Sequence, residues 1–290
     1  MHSKFEYFDK TLMIISDSVD EIVNNNYLKI VIIKSGSGII KINGIDTVFT
    51  SPELFCFNDD DKITIIKSKD LDVSSLLFDP SIINENLTLD NIKQGLHETT
   101  AITMLDGDSL RPFIIRDDAY CGMLSPGPAG LTRLMQLSDA TLKYVDNVNE
   151  SFRPCRIRSY FLEMIFFIVE MYYRRDPIKI DVEMINYDNN IYDVILHLAS
   201  NYHTKITIDD LVKIFNTNRN TLREKFIKVT GVPVITYLIK LRVRIASILL
   251  KDTTLNVSEI MEHVGFEDIS HFGRIFRKYV GVSPSAYRKG

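Results

Sequence analysis

Arg274, Arg277, Lys278, Arg288 and Lys289 crowd the closing stretch of a 290-residue chain whose net charge is −4. Guanidinium and ammonium groups at this density suit a polyanion, because each can donate charged hydrogen bonds to phosphate oxygens. The imbalance runs through the whole C-terminal third. Residues 191–290 hold 15 Lys and Arg against 9 Asp and Glu, whereas residues 1–190 hold 19 against 29. A basic end on an acidic body fits one polyanionic partner at that end. Uneven surface charge without function would give the same count.

Other chemistry is poorly supplied. The histidines are His2, His97, His197, His203, His263 and His271, and none falls between Leu12 and Phe78, where the sequence is strand-like. A catalytic divalent metal needs several converging N or O ligands with open positions. No metal is therefore expected there, and no cofactor anywhere. The chain has no Walker A loop, no G-x-S-x-G elbow and no H-E-x-x-H pair. "SGSG" at Ser35–Gly38 reads as a turn, and without a following helix it is no phosphate cradle. Cys56, Cys121 and Cys155 are odd in number and widely spaced, which indicates neither a disulfide framework nor a zinc ribbon. The charged N-terminus "MHSKFEYFDK" is no signal peptide. The most apolar run, "FLEMIFFIVEMYY", contains Glu163 and Glu170 and is too short for a bilayer. These features read as a cytoplasmic, reduced protein with no membrane association and no enzymatic activity.

The elements that would present the basic residues are helices. Thr207 stands three residues before Asp210, and Asn256 three before Glu259, so each pair can form a capping box. These boxes open "IDDLVKIF" and "VSEIMEHV". The first helix leads through Asn216-Thr217 into "NRNTLREKF", where Asn216 tolerates positive φ and Asn218 can cap. The second leads through Gly265-Phe266 into "DISHFGRIFRKY". Each unit, at about 207–228 and 256–279, reads as a helix-turn-helix. Phe226, Phe266, Phe272 and Phe276 are expected in their cores. Between the units "VITYLIKLRVRIASILLK" reads as one helix of roughly 27 Å. Successive major grooves on one face of DNA lie about 34 Å apart, so a strut slightly short of that would ask the duplex to bend.

The N-terminal part reads differently. "YLKIVIIKSGSGIIKINGIDTVFT" holds β-branched runs, and Asn43-Gly44 predicts a two-residue hairpin turn. Further short runs, "LFCF", "ITII" and "VSSLLF", suggest a small antiparallel barrel or jelly roll. Its interior is apolar and aromatic and could be a pocket or a solid core. "CRIRSYFLEMIFFIVEMYYRR" reads as a long amphipathic helix stopped by Asp176-Pro177. Its apolar residues spread over more than one face, which predicts a homodimer through it.

The segment "TIDDLVKIFNTNRNTLREKFIKVTGVPVITYLIKLRVRIASILLKDTTLNVSEIMEHVGFEDISHFGRIFRKYVGVSPSAYRKG" resembles the DNA-binding domain of the AraC/XylS family of bacterial transcription regulators, most specifically in "VGFEDISHFGRIFRKYVGVSPSAYR". The resemblance implies an α+β multidomain protein: a cupin-like antiparallel β-barrel with helices, then an all-α domain with two helix-turn-helix units. The expected divisions are a sensor barrel at 1–100, a helical dimerisation region at 101–176, a connector at 177–190 and the DNA-binding domain at 191–290. It implies base reading by Asn220, Arg223 and Glu224 on the first recognition helix and by Ser270, His271 and Arg274 on the second. Arg can bond guanine bidentately and Asn suits adenine, while Glu224 could accept from cytosine or pair with a neighbouring Lys. His271 could contact a base or stay solvated. Lys225, Lys228, Arg277 and Lys278 read as phosphate contacts that position without specifying. Arg242 reads as structural or phosphate-facing.

The family usually has Ala where Val212 and Met261 stand, which suggests a wider helix crossing in each unit, and often has Gly where Asn216 stands. The implied partners are promoter DNA, RNA polymerase and a small-molecule effector, and the implied role is an activator. A metal-free effector pocket is expected around Lys34, Lys41, Phe49, Glu53, Phe55 and Phe57, with the charged members at the rim. The alternatives are a ligand-independent regulator controlled by abundance or a partner protein, and a cupin enzyme with a DNA-binding tail.

Overall fold

In the computed structural model of the chain, residues 4–8, 11–16, 27–95, 100–117, 120–146, 152–175 and 188–289 are described, with side-chain detail beginning at Tyr27. The strands are β1 (Lys4–Phe8), β2 (Thr11–Ser16), β3 (Leu28–Ile42), β4 (Ile45–Thr50), β5 (Glu53–Phe57), β6 (Ile63–Phe78) and β7 (Met123–Leu124). They form one curled antiparallel sheet, a half-barrel, in the order β1-β2-β6-β3-β5-β7 with β4 paired to β3. The β3–β4 hairpin closes as its dipeptide requires. Asn43 and Gly44 take φ of 52° and 90°, and Ile42 faces Ile45 across the turn.

Two expectations about the strands fail. Ser35–Gly38 is not a turn but lies inside the 15-residue β3. A Cβ on Gly36 would meet the Asp70 carbonyl oxygen at 2.5 Å, and one on Gly38 would meet the Phe49 ring at 2.4 Å. The glycines let β6 and a phenyl ring approach the strand backbone. "ITII" and "VSSLLF", read as separate strands, are the two ends of the 16-residue β6, joined through Asp70 at φ 52°.

The chain divides into two compact units, with β3 and β6 contributing to both. The first contains Met1–Lys34, Pro52–Asp61 and Asp72–Pro177. Its helices are α1 (Leu89–Lys93), α2 (Ala101–Asp108), α3 (Arg111–Ile114), α4 (Gly127–Asp146) and α5 (Arg153–Arg174). Alternation along the strands sends Leu28, Ile30 and Ile32 of β3, Leu54 and Cys56 of β5 and Phe78 of β6 to one face. There they share a core with Phe113, Leu134, Phe161, Met164 and Ile168. Phe78 sits edge-on between Phe113 and Phe161, at 5.2 and 4.8 Å between ring centres. α5 starts two residues before the expected Cys155, with Pro154 in its first turn where no N–H is missed. Its expected stop at Asp176-Pro177, and most of the connector, lie outside the described residues. No helix among them is long and apolar enough to cross a membrane.

The second unit contains Ser35–Ser51, Lys62–Leu71 and Ile178–Gly290. Its helices are α6 (Asn189–Asn201), α7 (Ile208–Ile214), α8 (Arg219–Thr230), α9 (Val234–Asp252), α10 (Val257–His263), α11 (Ile269–Val280) and α12 (Pro284–Lys289). Two apolar cores form along α9. Leu211, Leu222, Phe226 and Val229 join the first, with Tyr237 and Leu238 of α9. Ile260, Val264, Phe266, Phe272 and Phe276 join the second, with Val243, Ala246 and Leu250.

Candidate nucleic-acid interface

Both capping boxes form. Thr207 accepts from the Asp210 N–H at 3.2 Å and Asn256 from the Glu259 N–H at 2.9 Å, with each carboxylate bonding back. α7 and α10 end in the same way. Thr217 N–H reaches Val212 O at 3.1 Å, and Phe266 N–H reaches Met261 O at 3.0 Å. These bonds turn around Asn216 and Gly265, at φ 45° and 84°. Asn216 fills its left-handed position as expected. Gly265 is doubly constrained, since a Cβ would also meet the His203 carbonyl oxygen at 2.8 Å. Asn218 and Asp268 then cap α8 and α11, and Gly231 and Gly281 end them in the left-handed region.

The two units are a displaced repeat. Thr207, Leu211 and Asn216 recur 49 residues later as Asn256, Ile260 and Gly265. Leu222, Phe226 and Gly231 recur 50 residues later as Phe272, Phe276 and Gly281. The second turn is thus one residue longer. At matched positions α8 presents Asn220, Glu224 and Lys228 where α11 presents Ser270, Arg274 and Lys278. All six are exposed.

Asn220, Arg223, Glu224, Ile227 and Lys228 lie at steps of three and four along α8 and line one shallow concavity. Ile227 was not singled out in the sequence; its spacing with Arg223 was the available signal. Lys225 lies off this face and is tied to Asp188, the cap of α6, at 3.1 Å. Burial opposes ionisation of Asp188, but the Lys225 ammonium and the Ile191 and Asn190 N–H groups outweigh it, so its pKa falls below 3.8. On α11, His271, Arg274, Arg277 and Lys278 are exposed, and the His271 ring meets Phe266 edge-on at 5.8 Å. Lys228, Arg277 and Lys278 occupy the last turns of their helices, where cations are favoured by the helix dipole.

Arg242 is structural. It donates to the Tyr202 carbonyl oxygen at 2.8 Å and to that of Thr204 at 2.7 Å, and lies over the Phe266 ring. It thereby holds the loop after α6 against the second turn. Phe226, Phe266, Phe272 and Phe276 are buried as expected, and so is Met261.

The six effector-pocket candidates do not share one compact unit. Lys41 and Phe49 belong to the second, and Lys34, Glu53, Phe55 and Phe57 to the first. Phe49, Phe55 and Phe57 are each 1% exposed. Lys34 pairs with Asp72 at 2.7 Å and Lys41 with Asp46 at 3.3 Å. Glu53, expected at the rim, is instead buried and accepts from Ser125 at 2.7 Å. Sequence reading missed Lys29, which is 2% exposed on β3 beside Phe57. Burial lowers its pKa, while Asp59 and Asp61 pull the other way. Among the described residues no cluster of His, Cys, Asp or Glu could hold a metal ion.

A helix-turn-helix domain family matches residues 211–290. YdiP of Escherichia coli K12, described as an uncharacterized HTH-type transcriptional regulator, is 36% identical over 36% of this chain and 35% of its own length. The Msm operon regulatory protein of Streptococcus mutans is 34% identical over 32% of the chain and 33% of its own length. The chain thus spans about a third of each of these two relatives. RhaR of Enterobacter sp. strain 638, an HTH-type transcriptional activator, is 24% identical over 91% of the chain and 85% of its own length. Two helix-turn-helix units on one connecting helix, this match and a likeness to RhaR that runs nearly the length of the chain support a DNA-binding transcription regulator similar to those of the AraC/XylS family.

Proposed function

We propose that the protein is an effector-responsive activator that binds promoter DNA through α8 and α11 in successive major grooves. The observation that carries this reading is the pair of exposed polar helix faces fixed to opposite ends of α9, a 19-residue helix of roughly 28 Å. Asn220, Arg223 and Glu224 face one set of base edges and Ser270, His271 and Arg274 the other. Lys228, Arg277 and Lys278 face phosphates. Lys225 can join them by exchanging Asp188 for a phosphate. Activation rests on the likeness to RhaR, which is named an activator, and RNA polymerase is the partner that the family resemblance implies. If an effector tightens DNA binding, DNA must tighten the effector by the same factor.

Selection of duplexes from a random pool by the purified chain tests DNA reading. A defined sequence should emerge, and its affinity should fall about 150-fold between 50 and 200 mM salt, since four neutralised phosphates give a slope near −3.6. An unenriched pool would remove the proposal.

The acting species is a homodimer in the bacterial cytoplasm. On α5, Cys155, Ser159, Leu162, Phe166, Val169 and Tyr173 follow steps of four and three, the spacing of a coiled-coil seam. Phe166 and Tyr173 are 56% and 60% exposed. Sedimentation at micromolar concentration should give a dimer that Phe166→Glu converts to a monomer. A wild-type monomer, with and without DNA, rules the dimer out.

A further inference from the structure

The first recognition helix does not stand on the helical domain alone. α6 packs on α8 at one side, where Asp188 holds Lys225. At its other side the second unit supplies the outer parts of β3, β4 and β6. The Tyr192 hydroxyl donates to Asp46 of β4, whose second oxygen meets Lys41 of β3 at 3.3 Å. Lys67 of β6 pairs with Asp193 at 2.7 Å. Ser37 and Ser200 hydrogen-bond at 2.7 Å, and Thr50 donates to the Ala199 carbonyl oxygen at 3.2 Å. Tyr192 is fully buried and Asp46 is 8% exposed.

The apolar contacts show the same asymmetry. Ile39 of β3 is fully buried in the same core as Ile195 and Leu198 of α6 and Leu222 and Phe226 of α8, with Val48 and Ile66 packed against it. Among the described residues, the core holding α10 and α11 contains no strand residue. One reading helix is thus mounted on a sheet and the other is not.

We infer that Asp46, Tyr192 and the Lys67–Asp193 pair are positioning residues for the first recognition helix alone, which makes the β3–β4 hairpin a working part of that DNA reader. The inference rests on the DNA-binding reading. Removing the Tyr192 hydroxyl takes a donor from buried Asp46, and reversing Lys67 sets two negative charges together on the half-exposed Lys67–Asp193 side; in either case α6 shifts. α8 follows through their common core. Bidentate base contacts tolerate little displacement, so selectivity at one half-site is lost first. The second half-site, read by α11, keeps its selectivity.

The test uses the full chain and the duplex it selects from a random pool. The half read by α8 is the half whose scrambling no longer matters in Arg223→Ala. Each half is scrambled in turn, and binding is compared for wild type, Tyr192→Phe and Lys67→Asp. Discrimination against the scrambled first half should fall roughly 5-fold or more, while that against the second half stays within about 2-fold. Adding Asp193→Lys to Lys67→Asp should restore it, which ties the loss to this pair, and a general folding defect would instead lower binding to both halves alike. Equal loss at both halves, or loss at neither, overturns the positioning role. If wild type selects no duplex, DNA reading itself falls and takes this inference with it.

Discussion

Phe276→Ala should cost about 3–5 kcal/mol of stability and abolish selective DNA binding. The ring is fully buried, 5.7 Å from Phe272 and 5.5 Å from Tyr287 between centres. It joins α11 to the rest of the second unit, and the neighbouring rings cannot collapse into the space it leaves without moving α11. A domain is typically stable by only 5–15 kcal/mol, so the loss removes a large share. Calorimetry of the variant should show an early transition for the second core. A melt within a degree or two of wild type would mean that the site is far more plastic than its packing indicates.

Arg274→Ala should weaken binding to the selected duplex by about 1–3 kcal/mol, roughly 5- to 150-fold, and relax preference at one base pair. Arg274 is exposed on the outer face of α11, one turn before Lys278. Lys278→Ala provides the contrast. A phosphate contact is blind to sequence, so this variant should weaken selected and random duplexes alike and lower the salt slope by about 1. Titrations of both variants on both duplexes separate the roles. Equal weakening of selected and random DNA by Arg274→Ala would reassign that residue to the phosphate backbone.

The helices of the second unit were largely legible because their signals are local. Thr207 with Asp210, Asn256 with Glu259, and Asn216 or Gly265 at a turn each need only a few neighbouring residues to act, so sequence spacing carries them. Asn43-Gly44 is local in the same sense. Gly36 and Gly38 were misread because their reason is not local. One meets the β6 backbone and the other the Phe49 ring, and no spacing within β3 announces either. Glu53 and Lys29 failed for a related cause. A charge on a strand reads as a solvent-facing position, and only the fold reveals that Ser125 covers one and that the sheet interior encloses the other. Asp46 and Tyr192 are 146 residues apart, and neither carries a motif.

The offset between the two reading units has a consequence for the DNA itself. Where α8 carries Glu224, an acceptor, α11 carries Arg274, a donor, and the turn ahead of α11 is one residue longer. A reader with two identical heads joined head to head would sit equally well after the duplex is turned end for end. If α8 and α11 read bases as proposed, this chain cannot, because each half-site would then face the wrong chemistry. A single copy would then lay an arrow along the double helix and distinguish upstream from downstream before any second molecule arrives. Inverting its site should reverse the side from which a neighbouring protein is engaged, whatever the distance between them.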